Sequence, residues 1–233
     1  MTIAVLGATG MVGSRVITEG GARGHQMLAL SRKPAGDDGR SPNVTPIAVD
    51  VDDAPALREA LGGSASHGAA DAVVVTLRTV PVDEAFLVGA TRTVLDIAAQ
   101  LGIRVLVVGG AGALRSPGDG DLLVADDPEY VPTEIKAVAA AGIAQLRTCR
   151  SHTHGDWTYL SPPALLEPGE RTGHYRRGTD TLLLDADGRS WISAEDLAAA
   201  VIDELETPGP DHLITVAHGT QPSEGVSRRP FRP

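Results

Sequence analysis

Seven residues near the amino terminus constrain the fold more than any other part of this 233-residue chain: Gly7-Ala8-Thr9-Gly10-Met11-Val12-Gly13. The spacing G-x-x-G-x-x-G says little alone. Its neighbours give it meaning. It follows an apolar, β-rich run at residues 3–7, and it opens a helical pattern from Gly10 to about Gly20, with Val12 and Val16 one turn apart. A strand turning on glycine into a helix is the start of a strand–helix–strand unit. There Gly7 permits the tight turn, Gly10 lets the backbone approach a diphosphate, and Gly13 lets the helix pack on the sheet. The free N–H groups and the positive end of the helix dipole then face the anion. A glycine-rich turn that binds nothing is the bland alternative; strand, spacing and helix together favour dinucleotide binding.

The same rhythm continues. Residues 26–31 and 46–50 read as a second and a third strand, and residues 54–61 as a short helix with Asp53 as N-cap and Pro55 in its first turn. Residues 72–76 hold Val73, Val74 and Val75 in succession, as in a strand buried on both faces. Asp83 caps a long helix to Leu101, with Leu87, Ala90, Val94, Ala98 and Leu101 as its apolar stripe and Gly102 as its stop. Residues 105–108 are a fifth strand. Such alternation predicts a doubly wound parallel sheet with helices on both faces and right-handed crossovers. After Val108 the pattern changes. Residues 109–133 form a long Gly-, Asp- and Pro-rich loop, of a size that usually carries function. A helix at about 133–146, a strand at 157–160 and a Pro/Gly-rich stretch at 161–173 follow. Short strands are expected at 181–185 and 191–193 around an Asp187-Gly188 turn. Ser193 and Asp196 open a helix to about Glu206, and residues 213–217 are a last strand. Residues 218–233, with Arg228, Arg229 and Arg232, read as a loose tail.

Charge and composition exclude several function classes. Lys and Arg number 20 against 30 Asp and Glu, a net charge of −10, so the basic footprint of a nucleic-acid binder is missing. Two Trp, three Tyr and two Phe are too few for a base-stacking platform. Cys149 is the sole cysteine, which rules out an internal disulfide and a cysteine zinc site. No apolar run approaches the ~18 residues that span a bilayer, and the chain opens on a strand with no basic segment before it. A cytoplasmic protein with a small-molecule partner, no nucleic acid and no membrane is expected; its oligomeric state is open.

The end of the second strand bears on the cofactor. An NAD site usually carries Asp or Glu about 20 residues past the glycines, to hold the ribose 2′-hydroxyl. Here the residues are Ser31-Arg32-Lys33. Two cations suit a 2′-phosphate, so NADP(H) is favoured over NAD(H), a solvated basic turn being the alternative. Asp50 and Val51 follow the third strand; the carboxylate can meet an adenine amino group or cap the next helix. At the tips of the fourth and fifth strands lie Thr76-Leu77-Arg78 and Gly109-Gly110-Ala111-Gly112. Their small residues either admit a flat ring or merely make tight turns.

Taken together, Gly7–Gly13, Val107-Val108-Gly109-Gly110-Ala111-Gly112, Trp157-Thr-Tyr-Leu-Ser-Pro162-Pro163, Gly169-Glu-Arg-Thr-Gly173 and Ile192-Ser193-Ala-Glu-Asp196 resemble the atypical short-chain dehydrogenases with an NAD(P)H-binding domain. The nearest group is that of proposed NADH-flavin reductases, beside biliverdin reductase B and the NmrA-like proteins. The resemblance spans about residues 1–217. It implies one Rossmann-type NAD(P)-binding domain, with about 161–193 contributing a small C-terminal substrate lobe. It further implies that Gly7, Thr9, Gly10, Met11, Val12 and Gly13 hold the diphosphate, and that Arg32 and Lys33 meet the adenosine phosphate. By the same likeness Thr76, Leu77 and Arg78 flank the ribose, and the nicotinamide lies between Ala111 and the 160–163 segment, with Pro162 and Pro163 behind it. Asp50, Val51, Gly109 and Gly110 complete the expected cofactor set, and Leu114, Tyr130 and Pro163 the substrate set.

The chain departs from its relatives where chemistry is usually done. Short-chain dehydrogenases use Tyr-x-x-x-Lys, one helical turn apart. Here Tyr130 and Lys136 are six apart with Pro132 between, and Ala111 or Gly112 replaces the usual serine after the fifth strand. Ala164 stands where biliverdin reductase B has a histidine. No catalytic side chain is therefore named. Direct hydride transfer to a flat acceptor such as a flavin or quinone needs none, since orientation and exclusion of water supply the rate. Arg78, Leu114, Tyr130 and Pro163 are the expected pocket. A non-catalytic NmrA-like nucleotide sensor, or a tailoring ketone or enone reductase or isomerase, are the alternatives. Other features read as structural first: His152 and His154 as loop residues rather than metal ligands, Asp185-Ala-Asp187-Gly188 as a turn rather than a calcium loop, Cys149 as inert. Asp126, Asp127 and residues 119–121 face solvent. Arg171, Arg176 and Arg177 either draw in an anionic substrate or lie on a solvated face.

Overall fold

A computed structural model of the protein describes residues 1–34, 42–118 and 120–219. Ile3, Ala4, Val5 and Leu6 leave no side of their strand fit for water, so β1 (Thr2–Leu6) occupies the middle of a sheet. β2 (Gln26–Ser31) pairs with it on one side and carries β3 (Val44–Ala48) outward. On the other side follow β4 (Ala72–Val75), β5 (Arg104–Val108), β6 (Trp157–Ser161) and β10 (Leu213–His218). These seven strands are parallel. β8 (Tyr175–Gly178) adds an antiparallel edge, giving the order β3-β2-β1-β4-β5-β6-β10-β8. Pro46 is tolerated in β3 because β3 is the opposite edge. The chain runs outward from β1 in both directions, and the reversal between β1 and β4 leaves a crevice above the carboxyl ends of the strands. This is a Rossmann-like α/β fold.

Alternate residues of β1 feed two cores. Ile3 and Val5 pack with Val16 and Ile17 of α1 (Met11–Ala22) and with Leu197, Val201 and Ile202 of α5 (Ala194–Glu206). Ala4 and Leu6 face α2 (Ala54–Gly62), α3 (Glu84–Leu101) and α4 (Lys136–Ser151) through Leu57, Leu61, Val94, Leu95 and Leu146. Each fully buried leucine contributes about 2 kcal/mol. The expected caps form. Asp53 accepts the Ala56 N–H at 3.1 Å, Asp83 that of Phe86 at 2.9 Å, and the Ser193 hydroxyl that of Asp196 at 3.0 Å. Gly102 ends α3 in the left-handed conformation, φ 68°.

Past residue 108 several expectations need correction. Residues 181–185 do not make a strand. Thr181 forms one bridge to Arg115, and Leu182 is buried in a third cluster with Leu114, Val124, Val131 and Ala139. Alternation there fills a cluster instead of pairing a sheet. Segment 109–133 is not structureless, since it holds 3-10 turns at Ala111–Ala113 and Val124–Asp126 and folds down onto α4. The stretch 161–193 is divided: β8 joins the main sheet, while β7 (Leu165–Glu167) and β9 (Trp191–Ser193) form a separate parallel ribbon. α4 begins at Lys136, after a 3-10 turn at Thr133–Ile135, and runs to Ser151 because Leu146 and Cys149 are still core. The Asp187-Gly188 turn is present, with Asp185 Oδ1 accepting the N–H groups of Asp187 and Arg189. His218 belongs to β10; the rest of the expected tail, from residue 220, lies outside the described residues.

Candidate functional site

A cleft of about 780 Å³ opens at the carboxyl ends of β1, β2, β4 and β5. Its centre is the glycine turn. Gly7 has φ +83°, and a Cβ there would stand 2.7 Å from the Thr76 carbonyl oxygen. A Cβ on Gly13 would drive into the carbonyl of Gly7. The Gly10 N–H closes the turn on Gly7 O at 2.9 Å, and the first intrahelical bond is Ser14 N–H to Gly10 O at 3.0 Å. Gly10, the N-cap, supplies no side-chain acceptor, and the first turn holds no acidic residue. The N–H groups of Met11, Val12 and Gly13 therefore begin the helix without an intrahelical partner. Met11 and Val12 line the cleft. An uncapped helix start facing a cleft is an anion cradle.

On the β2–β3 side the wall is Leu30, Ser31, Arg32, Val49, Asp50, Val51 and Asp52. The Ser31 hydroxyl oxygen is buried and has no partner among the described residues, a donor left over for a ligand. Arg32 is exposed beside it. Asp50 Oδ1 accepts the Asp52 N–H at 3.2 Å, so its carboxylate already closes a turn; Asp53 is the helix cap.

On the β4–β5 side the wall comes from Thr76 to Thr79, Val82, Asp83, Phe86 and Leu87, from Gly109 and Gly110, and from one face of α4 with Ile135 before it: Val138, Gly142, Gln145. Beneath the glycine pair lies Tyr159 of β6. Its hydroxyl donates to Gly142 O at 2.8 Å, and burial pushes its phenol well up, a hydrogen bond with the Gly110 backbone opposing. A Cβ on Gly109 would overlap the Tyr159 ring, so glycine is needed there for the ring to fit.

The structure brings thirteen of the expected residues onto one surface: Gly7, Thr9, Gly10, Met11, Val12, Arg32, Asp50, Val51, Thr76, Leu77, Arg78, Gly109 and Gly110. Gly13 sits behind the turn, and Lys33 is exposed off the cleft wall. Five further expected residues do not line this cleft. Leu114 is fully buried in the third cluster, and Ala111 and Tyr130 pack against it, because the 109–133 segment buries its apolar residues on α4. The Tyr130 phenol is pushed up by burial and by nearby Glu129 and Asp127. Pro162 and Pro163 are buried beyond β6, and Leu166 of β7 reaches the wall instead. Gln145, Phe86 and Val138 were not foreseen. The helical spacing of Val138, Gly142 and Gln145, each about one turn from the next, was the available signal.

Residues outside the cleft have structural partners. Arg171 binds Glu19 through two bonds of 2.6 and 2.7 Å, Arg177 pairs with Glu204 and Asp211, and Arg176 donates to Leu184 O. The three arginines are thus spent on ion pairs and loop carbonyls. His152 meets Asp96 at 3.0 Å and His154 the Ile103 carbonyl at 3.0 Å. Asp127 accepts from Ser116 at 2.6 Å, which corrects its solvent-facing reading; Asp126 and Asp121 are exposed, and Asp119 lies outside the described residues. Burial pushes the Cys149 thiol up to about 12. No helix among the described residues is long and apolar enough to cross a membrane.

Residues 7–208 match a family model described as NAD(P)H-binding. Solved structures give the same neighbourhood. A Burkholderia pseudomallei protein, provisionally named as exported, is 37% identical with a TM-score of 0.81, covering 94% of this chain and 100% of that one. A Bacteroides thetaiotaomicron protein, provisionally named an epimerase, is 32% identical with a TM-score of 0.81, over 94% and 98%. A Streptococcus pneumoniae protein, provisionally named an NADH-flavin reductase, is 26% identical with a TM-score of 0.75, over 94% and 99%.

Proposed function

The chain belongs to the NAD(P)H-binding family, and on that premise we propose that it is a reductase that passes hydride from NADPH to a flat acceptor, a flavin or a quinone. One observation carries the reading. The uncapped start of α1 opens on a cleft whose wall, among the described residues, carries no tyrosine, lysine or histidine. Val138 and Gly142 stand four apart on the cleft-facing side of α4, the spacing at which a tyrosine–lysine pair would work. The ionisable side chains on the described wall are Arg32, Asp50, Asp52, Arg78 and Asp83. Asp50 and Asp83 are engaged with backbone N–H groups.

The residues fit the dinucleotide. The N–H groups of Met11 and Val12 would hold the diphosphate, and Ser31 and Arg32 the 2′-phosphate of NADPH. When bound, the reduced nicotinamide supplies the hydride. Gly110 keeps the wall bare where a ring must lie close, and Gly109 makes room for Tyr159 beneath it. Phe86 and Leu87 exclude water from the surface of the nicotinamide. The proton that completes the acceptor's reduction comes from solvent at the open side. Met11, Ile135 and Val138 stay exposed on the cleft wall, an apolar lip that suits an uncharged ring face.

The same lip favours a second reading, a nucleotide-binding regulator that presents this rim to a protein partner. Nucleotide-stripped protein mixed with NADPH and FMN, riboflavin or menadione separates the two. Protein-dependent NADPH oxidation is expected. Tight NADPH binding with no oxidation by any acceptor favours the regulator. Flat titrations with every pyridine dinucleotide overturn both. On the reductase reading the protein works in the cytoplasm, where NADPH is regenerated; recovery from an extracytoplasmic fraction overturns that part.

A further inference from the structure

Gln145 is the one carboxamide on the described cleft wall, and 4% of it is exposed. Its hydrogen bonding fixes which end of the amide is free. The Thr91 hydroxyl, itself buried, gives its proton to Leu87 O at 2.8 Å. That oxygen can then only accept, so the bond of 3.0 Å between Thr91 Oγ1 and Gln145 is donated by the Gln145 amide nitrogen. Among the hydrogen bonds of the described residues only the amide nitrogen of Gln145 takes part, and its Oε1 is not a buried orphan but opens on the cleft. A carbonyl oxygen held there with no protein donor is free to accept from water or from a ligand. The same side of the cleft carries Phe86 and Leu87 from α3, Val138 from α4 and the backbone of Gly109, Gly110 and Gly142, with Arg78 and Asp83 as its ionisable side chains. Flat, apolar sides with one fixed acceptor suit a planar heterocycle that carries an N–H in its own plane.

We propose that Gln145 is a specificity-determining residue: its carboxamide oxygen accepts the ring N–H of a lactam or imide edge on the acceptor. The inference rests on the reductase reading and narrows it. The pyrimidinedione edge of a flavin offers such an N–H. A quinone ring has none. Thr91 acts as a positioning residue, holding the amide so that oxygen, not nitrogen, faces the ligand.

The test uses riboflavin, its N3-methyl derivative and menadione with the full chain saturated with NADP⁺. Binding of the two flavins is read from quenching of their fluorescence, which requires no turnover. The native protein should bind riboflavin about tenfold more tightly than the methylated flavin, the worth of one neutral hydrogen bond in a buried site. Gln145→Leu should erase that difference while leaving the affinity for NADPH within twofold. The comparison of the two flavins on unmodified protein stands even if the variant folds poorly. Equal binding of both flavins overturns the inference. So does a Gln145→Leu protein that loses NADPH affinity as much as riboflavin affinity, since the carboxamide would then be holding the dinucleotide. Menadione turnover without flavin binding leaves the reductase reading standing and removes this one. Methyl-sensitive flavin binding without turnover does the reverse.

Discussion

One methyl group separates a working turn from a blocked one at Gly13. Its Cβ would enter the Gly7 carbonyl, and backbone cannot yield as a side-chain tip can. Gly13→Ala should therefore destabilise the protein by about 2–3 kcal/mol and weaken NADPH binding at least tenfold, read from thermal unfolding and nucleotide fluorescence titration. Gly110 makes the contrast. A Cβ there meets nothing within 4 Å, and the backbone, at φ −130°, is one any residue adopts. Gly110→Ala should leave stability within about 0.5 kcal/mol yet raise KM for the acceptor, because the added methyl stands on the cleft wall. A Gly110→Ala protein as active as the native one would remove the glycine pair from the reacting site. Cys149 belongs to the same scale. With its thiol pushed up to about 12 by burial, it should resist maleimide at pH 8 until the chain unfolds.

Between elements, the tightest ties join α1, α5 and the 168–173 loop. Glu19 takes both Arg171 and Arg23, Glu195 takes Arg15 and the Gly169 N–H, and the fully buried Asp196 accepts from Thr172 at 2.6 Å and Gly173 at 2.7 Å. The Arg171 hydrogen bond, with Arg23 behind it and burial opposing, holds the Glu19 carboxyl below its usual range. A depressed carboxyl stabilises the fold above its unfolded value, near 4.5, and that contribution fades as pH falls through the lower folded value. Glu19→Gln should cost about 1–2 kcal/mol at neutral pH and flatten the loss of stability below pH 5; equal acid sensitivity in both proteins would assign the acid transition elsewhere. These ties also mark where the sequence stopped being readable. β1, β4, β5 and the caps at Asp53, Asp83 and Ser193 rest on signals within a few residues of one another, and they were legible. β8 reads Tyr175-Arg-Arg-Gly178, polar on both sides, and becomes a strand only because β10 offers an edge. Residues 181–185 alternate like a strand but spend Leu182 on a cluster with Leu114, Val124, Val131 and Ala139, far earlier in the chain. The candidate site divides along the same line: the glycine turn is local and was visible, whereas Gln145 acquires meaning only when Thr91 of α3 is packed against it.

For the molecule as a whole, the decisive quantity is a charge of −10 on a chain that binds an anion. The net field repels every pyridine dinucleotide, NADPH more than NADH because of its extra phosphate. The local field at the end of β2 runs the other way, with exposed Arg32 and the unpartnered Ser31 hydroxyl at one place on the cleft wall. Two opposed terms with different ranges can be separated with salt, since the screening length falls from ~30 Å at 0.01 M to ~3 Å at 1 M. If Arg32 grips the 2′-phosphate, native protein should prefer NADPH over NADH by about tenfold at low salt, roughly 1.4 kcal/mol. That ratio should shrink as salt is raised, because the contact is solvent-exposed. Arg32→Met should bring the ratio to about one while moving NADH affinity little. If the global repulsion governs instead, the ratio of NADPH to NADH affinity starts below one and climbs with salt, and Arg32→Met changes it only by the loss of one charge among many. Isothermal titration of both reduced dinucleotides at two salt concentrations reads the sign directly, and a rising ratio would overturn the preference for NADPH.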